Sequence, residues 1–186
     1  MYKVNMDHVP NGISGAWSIE EFEADELWYR ISMAKTGRGV PPGKYKRISR
    51  YKSVIMSNTP DEIRDFMPFV WRASGRVLIN GLGLGVVLTA ILQKEEVREV
   101  IVIEKEQDVI NLVAPYFNDS RLTIIHADAY EYTPEGKFDC VWHDIWDHIC
   151  SDNLPQMTRL HRKYANRTNW QDSWAKKLCK RQKQLD

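Results

Sequence analysis

The chain has 186 residues, enough for one domain with a sizeable core or for a domain with an appendage. Hydrophobic side chains make up 43% and charged ones 27%, which excludes an intrinsically disordered chain. The net charge of +1 gives no global reason to expect a nucleic-acid or membrane partner.

The N-terminus lacks the apolar core of a signal peptide, and the longest strongly apolar stretch is too short to cross a bilayer. The three cysteines include no CxxC pair and fit neither a disulfide framework nor a zinc site. We therefore expect a cytoplasmic protein with reduced thiols, no metal site and no membrane partner.

The first third predicts a small β segment with one helix. Residues 16–23 form a strand candidate, and Asp25 is a typical N-cap for a helix that should stop by Gly37. Two short strand candidates follow, around residues 45–48 and 53–56.

A second helix is expected after residue 58. Thr59 would be its N-cap, Pro60 suits the first helical position, and Glu62 has the spacing of a capping box with Thr59. Pro68 is expected to kink this helix.

The next stretch alternates apolar strands with helices, which favours a parallel sheet covered on both faces. The predicted strands contain RVLIN, REVIVIEK, RLTIIHAD and KFDCVWHDIW. Only AYEYTPEGK separates the last two, so that crossover should be one turn plus a loop. The predicted fold is α/β, a three-layer sandwich with a mostly parallel sheet in the order 3-2-1-4.

The C-terminal segment has no further β-branched run, and the spacing of Trp170, Trp174 and Leu178 suggests a second helix after one near Leu154. The expected division of the chain is therefore an N-terminal β/α extension, an α/β core and basic C-terminal helices packed on that core. These three parts are residues 1–58, 59–150 and 151–186.

NGLGLG, residues 80–85, is the clearest functional motif. Glycines at the end of a parallel strand allow a tight turn and let a ligand approach the main chain. The dinucleotide pattern GxGxxG would need its third glycine at Val86, so this loop favours a ligand without a pyrophosphate. Glycine used only for tight packing of the strand against the helix is the alternative.

Two acidic residues end the next two strands. Glu104 lies about 20 residues beyond the glycine loop and suits the two hydroxyls of a ribose, or else is a solvated strand end. Asp128 could accept a hydrogen bond from an adenine amino group while the Ala129 N–H donates to a ring nitrogen. A cap for the following turn is the alternative for Asp128.

WHDIWD, residues 142–147, follows the fourth strand. In the predicted strand order Asp144 lies at the switch point, where it could balance a cation or accept a proton. Trp142 and Trp146 could either wall a pocket or belong to the core. His143 should alternate away from the site.

These motifs together resemble the class I S-adenosylmethionine-dependent methyltransferases, over roughly residues 75–147. LINGLGLG resembles the glycine motif of that superfamily, VIVIEK the ribose motif, IIHADA the adenine motif and FDCVWHD the fourth-strand motif. SNTPDEIRDFM, preceded by a small β segment, is similar to the spermidine synthase-like branch. The resemblance implies a Rossmann-like fold, with a shortened sheet in this chain, and makes residues 59–150 a nucleoside-binding core for an adenosylmethionine-type ligand. It leaves Asn58 and Asp61 as weaker candidates at the methionine end of that ligand.

The chain departs from that family in two ways. It has no room for three further strands after the fourth, and no NPPY-type motif follows the fourth strand, which argues against methylation of a planar base or glutamine.

The leading hypothesis is methyl transfer from S-adenosylmethionine to an unknown acceptor, giving S-adenosylhomocysteine, with Asp144 as the catalytic residue. The expected ligand contacts are Asn80, Gly81, Gly83, Gly85, Glu104, Lys105, Asp128, Ala129 and Asp144. The alternatives are a non-catalytic sulfur-nucleoside-binding module and an aminopropyltransferase. An NAD-dependent dehydrogenase ranks lower because Val86 occupies the position of the third glycine in the dinucleotide pattern.

Positive charge is concentrated at the C-terminal end, with nine Lys or Arg after residue 158. Such a segment could contact nucleic acid, but the favoured interpretation is that its tryptophans cover the sheet while its cations are solvated. A homodimer is a further expectation, because a shortened sheet leaves an exposed edge.

Overall fold

In the computed structural model, residues 4–184 are described, and they form two β-sheets with helices. The N-terminal sheet is antiparallel and ordered β1-β2-β3-β4. Its strands are β1 (Gly12–Ser14), β2 (Trp17–Ala24), β3 (Gly43–Arg50) and β4 (Ser53–Ser57). Helix α1 (Glu26–Thr36) joins β2 to β3; the Asp25 side chain accepts from the Trp28 N–H, and Gly37 ends the helix in the left-handed conformation, both as predicted.

The second sheet has five strands in the order β7-β6-β5-β8-β9, and every pair is parallel. They are β5 (Gly75–Asn80), β6 (Val97–Glu104), β7 (Leu122–His126), β8 (Phe138–His143) and β9 (Thr168–Ser173). The predicted order 3-2-1-4 is confirmed for the first four strands, and so is the α/β, Rossmann-like class. The strand β9 extends the sheet beyond the prediction.

Helices cover both faces of this parallel sheet. The described helices after α1 are α2 (Pro60–Arg72), α3 (Val86–Leu92), α4 (Gln107–Val113), the 3-10 turn Ala114–Tyr116, α5 (Asn153–Tyr164) and α6 (Lys176–Lys183). Alternating strand residues explain the layers: Val77 packs into the core with α2 to α4, and the neighbouring Leu78 packs on the other face with Tyr164 of α5.

Two details of the prediction are wrong. Trp170 lies on β9 and Trp174 follows that strand, so they do not share a helix. Thr59 and Pro60 occupy the N-cap and first helical positions as predicted, but no capping box forms, because Thr59 makes no side-chain cap bond and the Glu62 carboxylate accepts from the N–H and hydroxyl of Ser57. Helix α2 continues through Pro68 to Arg72, and the kink at Pro68 stays a prediction. The β9 pattern was missed because an edge strand stays partly exposed and carries polar residues.

The N-terminal sheet shares a core with the parallel sheet. Ile19 and Ile48 belong to the same buried cluster as Val77 and Phe69. The prediction of boundaries at residues 58 and 150 stays a prediction. Within residues 4–184, every helix is too short or too polar to cross a lipid bilayer.

Candidate functional site

A cleft of about 420 Å³ lies where the parallel strands end. Four strands each contribute a residue at or just beyond their carboxyl end to the lining of the cleft. These residues are Gly81 after β5, Glu104 at the end of β6, Asp128 beyond β7 and Asp144 after β8. Since β5 has β6 on one side and β8 on the other, the cleft sits at the switch point of the sheet, where ligands bind in open α/β folds.

Two parts of the protein pack closely against the glycine loop, the β8 loop and the N-terminal sheet. Gly81 has φ of 100°, and a Cβ there would overlap the carbonyl oxygen of Asp144. A Cβ on Gly83 would meet the Met56 thioether, whose sulfur accepts from the Leu84 N–H at 3.4 Å. The tight turn is therefore needed to bring the β8 loop and the N-terminal sheet onto this backbone.

Gly85 has a different position from the other two glycines. It precedes α3 and packs against Phe117 and Val113, and it is not among the residues that line the cleft. Of the three glycines, Gly81 and Gly83 face the cleft. Gly85 instead allows α3 to pack tightly, which is the alternative that the sequence left open for the glycine loop.

Glu104 is held firmly although it is acidic and 8% exposed. Its Oε2 accepts from the Leu82 N–H of the glycine loop at 2.8 Å, and its Oε1 accepts from the Glu106 N–H at 2.8 Å. Each carboxylate oxygen has a second lone pair, so the group can still accept from hydroxyls in the cleft. The two backbone bonds fix its orientation toward such a ligand.

Asp128 lines the same cleft just beyond β7, with Ala129 beside it. Its carboxylate accepts from the Tyr130 N–H at 2.8 Å and from Lys105 Nζ at 3.0 Å. The Tyr130 N–H is the main cause of the lowered pKa of Asp128, and Lys105 adds to it. The turn-capping alternative is thus present, and the carboxylate also borders the cleft together with Lys105 and Ala129.

Asp144 and Glu62 form an acidic pair in the cleft. Both are half-buried, and desolvation raises the pKa of each carboxyl to about 7. For Asp144, the negative charge of Glu62 adds to the shift, and a 3.4 Å bond from Trp142 Nε1 opposes it. Near neutral pH the pair therefore exchanges protons readily, a property suited to acid–base work or to binding a cation.

Sequence reasoning missed the contribution of the N-terminal sheet. Trp17, Arg50 and Met56 wall the cleft from that side, and the Arg50 guanidinium lies 5.5 Å from the centre of the Trp17 ring. Arg50 also pairs with Asp147 of the β8 loop. No local pattern in residues 12–57 indicated this role, because the approach of the two sheets creates it.

The structure decides the positions of four further residues, three tryptophans and one glutamate. Trp146 and Trp174 line the cleft, whereas Trp142 lies in the core with its ring centre 5.4 Å from that of Phe69. Glu62, considered only as a helix cap, is a cleft residue.

Asn80 points to the other face of the sheet. It is fully buried and is not a cleft-lining residue. Burial lowers the pKa of His143 to about 3, so its imidazole is neutral; Asn80 Nδ2 donates to Nδ1 at 2.8 Å, and Gln171 Oε1 is 3.2 Å from Nε2. Asn80 reaches the site through its backbone, since its carbonyl accepts from the Asp144 N–H. His143 faces away from the cleft, as expected.

The two weaker candidates make structural contacts. The Asn58 side chain accepts from the Lys46 N–H and donates to the Val4 carbonyl. The Asp61 carboxylate accepts from the Gly39 N–H and pairs with Arg64. Neither lines the cleft. Among residues 4–184 no group of three or more His, Cys, Asp or Glu is arranged to hold a metal ion.

The chain was compared with known proteins in sequence and in structure. No protein-family model matches the chain, and no curated protein is similar to it in sequence. Its structure is similar to that of spermidine synthase from Thermotoga maritima, with a TM-score of 0.52 and 20% identity over 89% of this chain and 53% of that chain. A spermidine synthase in complex with the transition-state analogue AdoDATO gives a TM-score of 0.49 and 22% identity over 78% and 47% of the two chains.

The chain thus spans about half the length of the spermidine synthase that it matches. At 20% identity the similarity shows the fold alone, a Rossmann-like α/β fold with an extra antiparallel sheet at the N-terminus. The reaction and the acceptor have to be inferred from the cleft.

Proposed function

We propose that the cleft binds a sulfur nucleoside of the S-adenosylmethionine type and that the chain transfers a methyl group from it to an acceptor. The observation that carries this proposal is the row of carboxylates at the strand ends, Glu104, Asp128 and Asp144, beside the glycine turn. Such a row matches a ligand with hydroxyls, an amino-substituted base and a cationic centre along its length.

Glu104 is assigned the ribose hydroxyls, because its carboxylate is already oriented by two backbone N–H groups. Asp128 is assigned the adenine amino group, with Ala129 beside it. The ligand supplies an electrophilic methyl group on a sulfonium. Asp144 would hold an acceptor amine and take its proton, since a carboxyl with a pKa of about 7 is a competent base at neutral pH.

Aminopropyl transfer is a second candidate that one observation favours. The Arg and Lys side chains that line the cleft are Arg50 and Lys105, and each already pairs with an aspartate. A methionine carboxylate would therefore approach Glu62 and Asp144 without a free cation to balance it. Decarboxylated S-adenosylmethionine keeps the ammonium and lacks that carboxylate.

Calorimetric titration of the full chain tests the proposal. S-adenosylmethionine, S-adenosylhomocysteine, decarboxylated S-adenosylmethionine and NAD would be compared. We expect the sulfur nucleosides to bind more tightly than NAD, and Glu104→Ala to weaken S-adenosylhomocysteine binding by about 10- to 100-fold, because hydrogen bonds to a charged group contribute about 1.5–3 kcal/mol. Glu95→Ala, a surface carboxylate remote from the cleft, is the matched control.

The outcomes separate the hypotheses. Failure of every sulfur nucleoside to bind would reject the proposal. Tighter binding of the decarboxylated ligand, with aminopropyl turnover on a diamine, would select the second candidate. Binding without turnover across a broad panel of amine, thiol and hydroxyl acceptors would favour a non-catalytic nucleoside-binding module.

A further inference from the structure

The chain separates its charges strongly. Residues 159–184 carry nine Lys or Arg and one Asp, whereas the rest of the chain has 17 basic and 24 acidic side chains, a net charge of −7. The nearly neutral whole thus hides a segment with a net charge of +8. A local excess of this size sets the field around the surface that carries it.

The structure leaves most of these cations exposed along α5, α6 and the turn after α5. We call these exposed side chains together the basic surface, and its members are Arg159, Arg162, Arg167, Lys177, Lys180, Arg181 and Lys183. Among residues 4–184, Lys176 is the one cation of the segment in an ion pair, with Asp172. The seven members of the basic surface have no carboxylate partner within the described chain.

The apolar side chains of the same helices point inward. Met157, Leu160 and Cys179 are buried together with Trp146. None of the large exposed hydrophobic side chains of the described chain lies after Tyr116. A membrane-surface helix needs an exposed apolar face, and a typical protein interface has an apolar or aromatic centre. The basic surface has neither, so its chemistry fits a polyanion.

The basic surface also borders the cleft. The Arg159 guanidinium lies 4.8 Å from the centre of the Tyr130 ring, and Tyr130 lines the cleft. Lys163 of the same helix donates to the carbonyls of Ala129 and Tyr130, which ties α5 to the cleft wall. Lys177, Lys180 and Arg181 are spaced to share one side of α6, so several cations can meet one extended chain.

We propose that the basic surface binds the phosphate backbone of a nucleic acid. Repeated phosphates offer one negative charge per nucleotide, and their neutralisation by Lys and Arg releases counterions, which drives association without base contacts. This inference does not rest on the proposed transferase activity, because it uses the surface of α5 and α6 and none of the cleft carboxylates.

Fluorescence anisotropy with a labelled single-stranded oligonucleotide of about 25 nucleotides, and with its duplex, tests the proposal on the full chain. We expect micromolar binding at 50 mM NaCl that weakens about 50-fold at 200 mM NaCl, the change for four phosphate contacts to a single strand. The triple variant Lys177→Glu, Lys180→Glu, Arg181→Glu should bind at least 10-fold more weakly. Its matched control is Lys35→Glu, Lys44→Glu, Lys52→Glu, which makes the same charge change at exposed positions of the N-terminal region.

Equal losses in the two triple variants would overturn the proposal, since they would reflect net charge alone. Binding that is absent at 50 mM NaCl or insensitive to salt would also overturn it. Polyglutamate that competes as well as an unlabelled oligonucleotide would assign the surface to an acidic protein instead. Circular dichroism melting checks that both variants fold; if the Glu variant does not, the Gln variant at the same three positions replaces it, with a loss of at least about fivefold expected.

Discussion

The cleft and the basic surface carry opposite charges, and they differ in how much water surrounds those charges. In the cleft, Glu62 and Asp144 are half-buried, and the loss of water raises the pKa of both carboxyls to about 7. On the basic surface, side chains such as Lys180 and Arg181 extend into solvent from short helices. The cleft carboxyls are thus partly removed from water by packing, whereas the cations of the basic surface stay solvated.

This difference predicts different responses to conditions. Charges removed from water respond to pH and to small changes in shape, because burial penalises their ionised form. Exposed charges interact over about one Debye length and respond mainly to ionic strength. The cleft should therefore depend on close packing and pH, and the basic surface on salt. Each experiment below can break or sharpen that contrast.

The largest effect is expected from Gly81→Ala. The left-handed φ of 100° strains an alanine, and its Cβ would overlap the Asp144 carbonyl, so the β8 loop must move. We expect a loss of about 3 kcal/mol or more in the free energy of unfolding, from backbone strain together with overpacking. Urea denaturation measures the loss.

Gly37→Ala is the matched control. Gly37 has a similar left-handed backbone with φ of 67°, but nothing lies within 4 Å of an added Cβ. It should cost about 1 kcal/mol, which is the strain alone. If the two variants lose the same stability, the close approach of the β8 loop to the glycine turn is not a constraint, and the cleft is less tightly packed than the structure indicates.

A smaller effect is expected from Asp144→Asn. The carboxyl of Asp144 ionises near pH 4 in the unfolded chain and near pH 7 in the folded one, so its raised pKa makes stability fall as pH rises between those values. The amide lacks this penalty. We expect the variant to gain about 1–2 kcal/mol more at pH 8 than at pH 5, because each pKa unit corresponds to about 1.4 kcal/mol and solvent in the open cleft screens part of the effect.

Urea denaturation at both pH values measures this difference, with Glu95→Gln as the surface control. The control should change stability by less than about 0.5 kcal/mol at either pH. A gain for Asp144→Asn that is the same at pH 5 and pH 8 would mean that its carboxyl is not desolvated, and the contrast between cleft and surface would fail at its central residue.

The smallest effect is expected from Lys105→Met, which removes an exposed cation at the rim of the cleft. Lys105 lines the rim of the cleft but is exposed, and its 3.0 Å pair with Asp128 resembles a surface ion pair. We expect S-adenosylhomocysteine affinity to change by about threefold or less, and by even less at 500 mM NaCl. A loss of S-adenosylhomocysteine affinity above about tenfold that does not depend on salt would mean that Lys105 behaves like the partly buried carboxyls of the cleft.

Much of the fold could be read from local pattern. Apolar strands alternating with helices predicted four parallel strands and their order, because side chains buried on both faces leave a near-continuous apolar run. Strand β9 was not predictable in this way. Trp170 packs against the core from the edge of the sheet, and the neighbouring Asn169 is exposed, so TNWQDS lacks the apolar run of a central strand.

The candidate site divides in the same manner. Glu104, Asp128 and Asp144 could be placed at one rim because parallel strands all end at the same edge. Asn80 and Gly85 were grouped with them, but alternation along β5 turns the Asn80 side chain to the other face, and the position before α3 packs Gly85 against Phe117. Neither residue lines the cleft, so their positions do not support the predicted contacts with a ligand.

By itself, the sequence determined the parallel sheet, the glycine turn and the row of acidic strand ends, because these depend on residues close together in the chain or on the common direction of the strands. Tertiary structure alone decided that Trp17, Arg50 and Met56 line the cleft, and that Glu62 lines it near enough for its charge to raise the pKa of Asp144. Those contacts join a separate antiparallel sheet and a helix to the strand ends, and the pKa of a buried carboxyl depends on which distant groups replace its water.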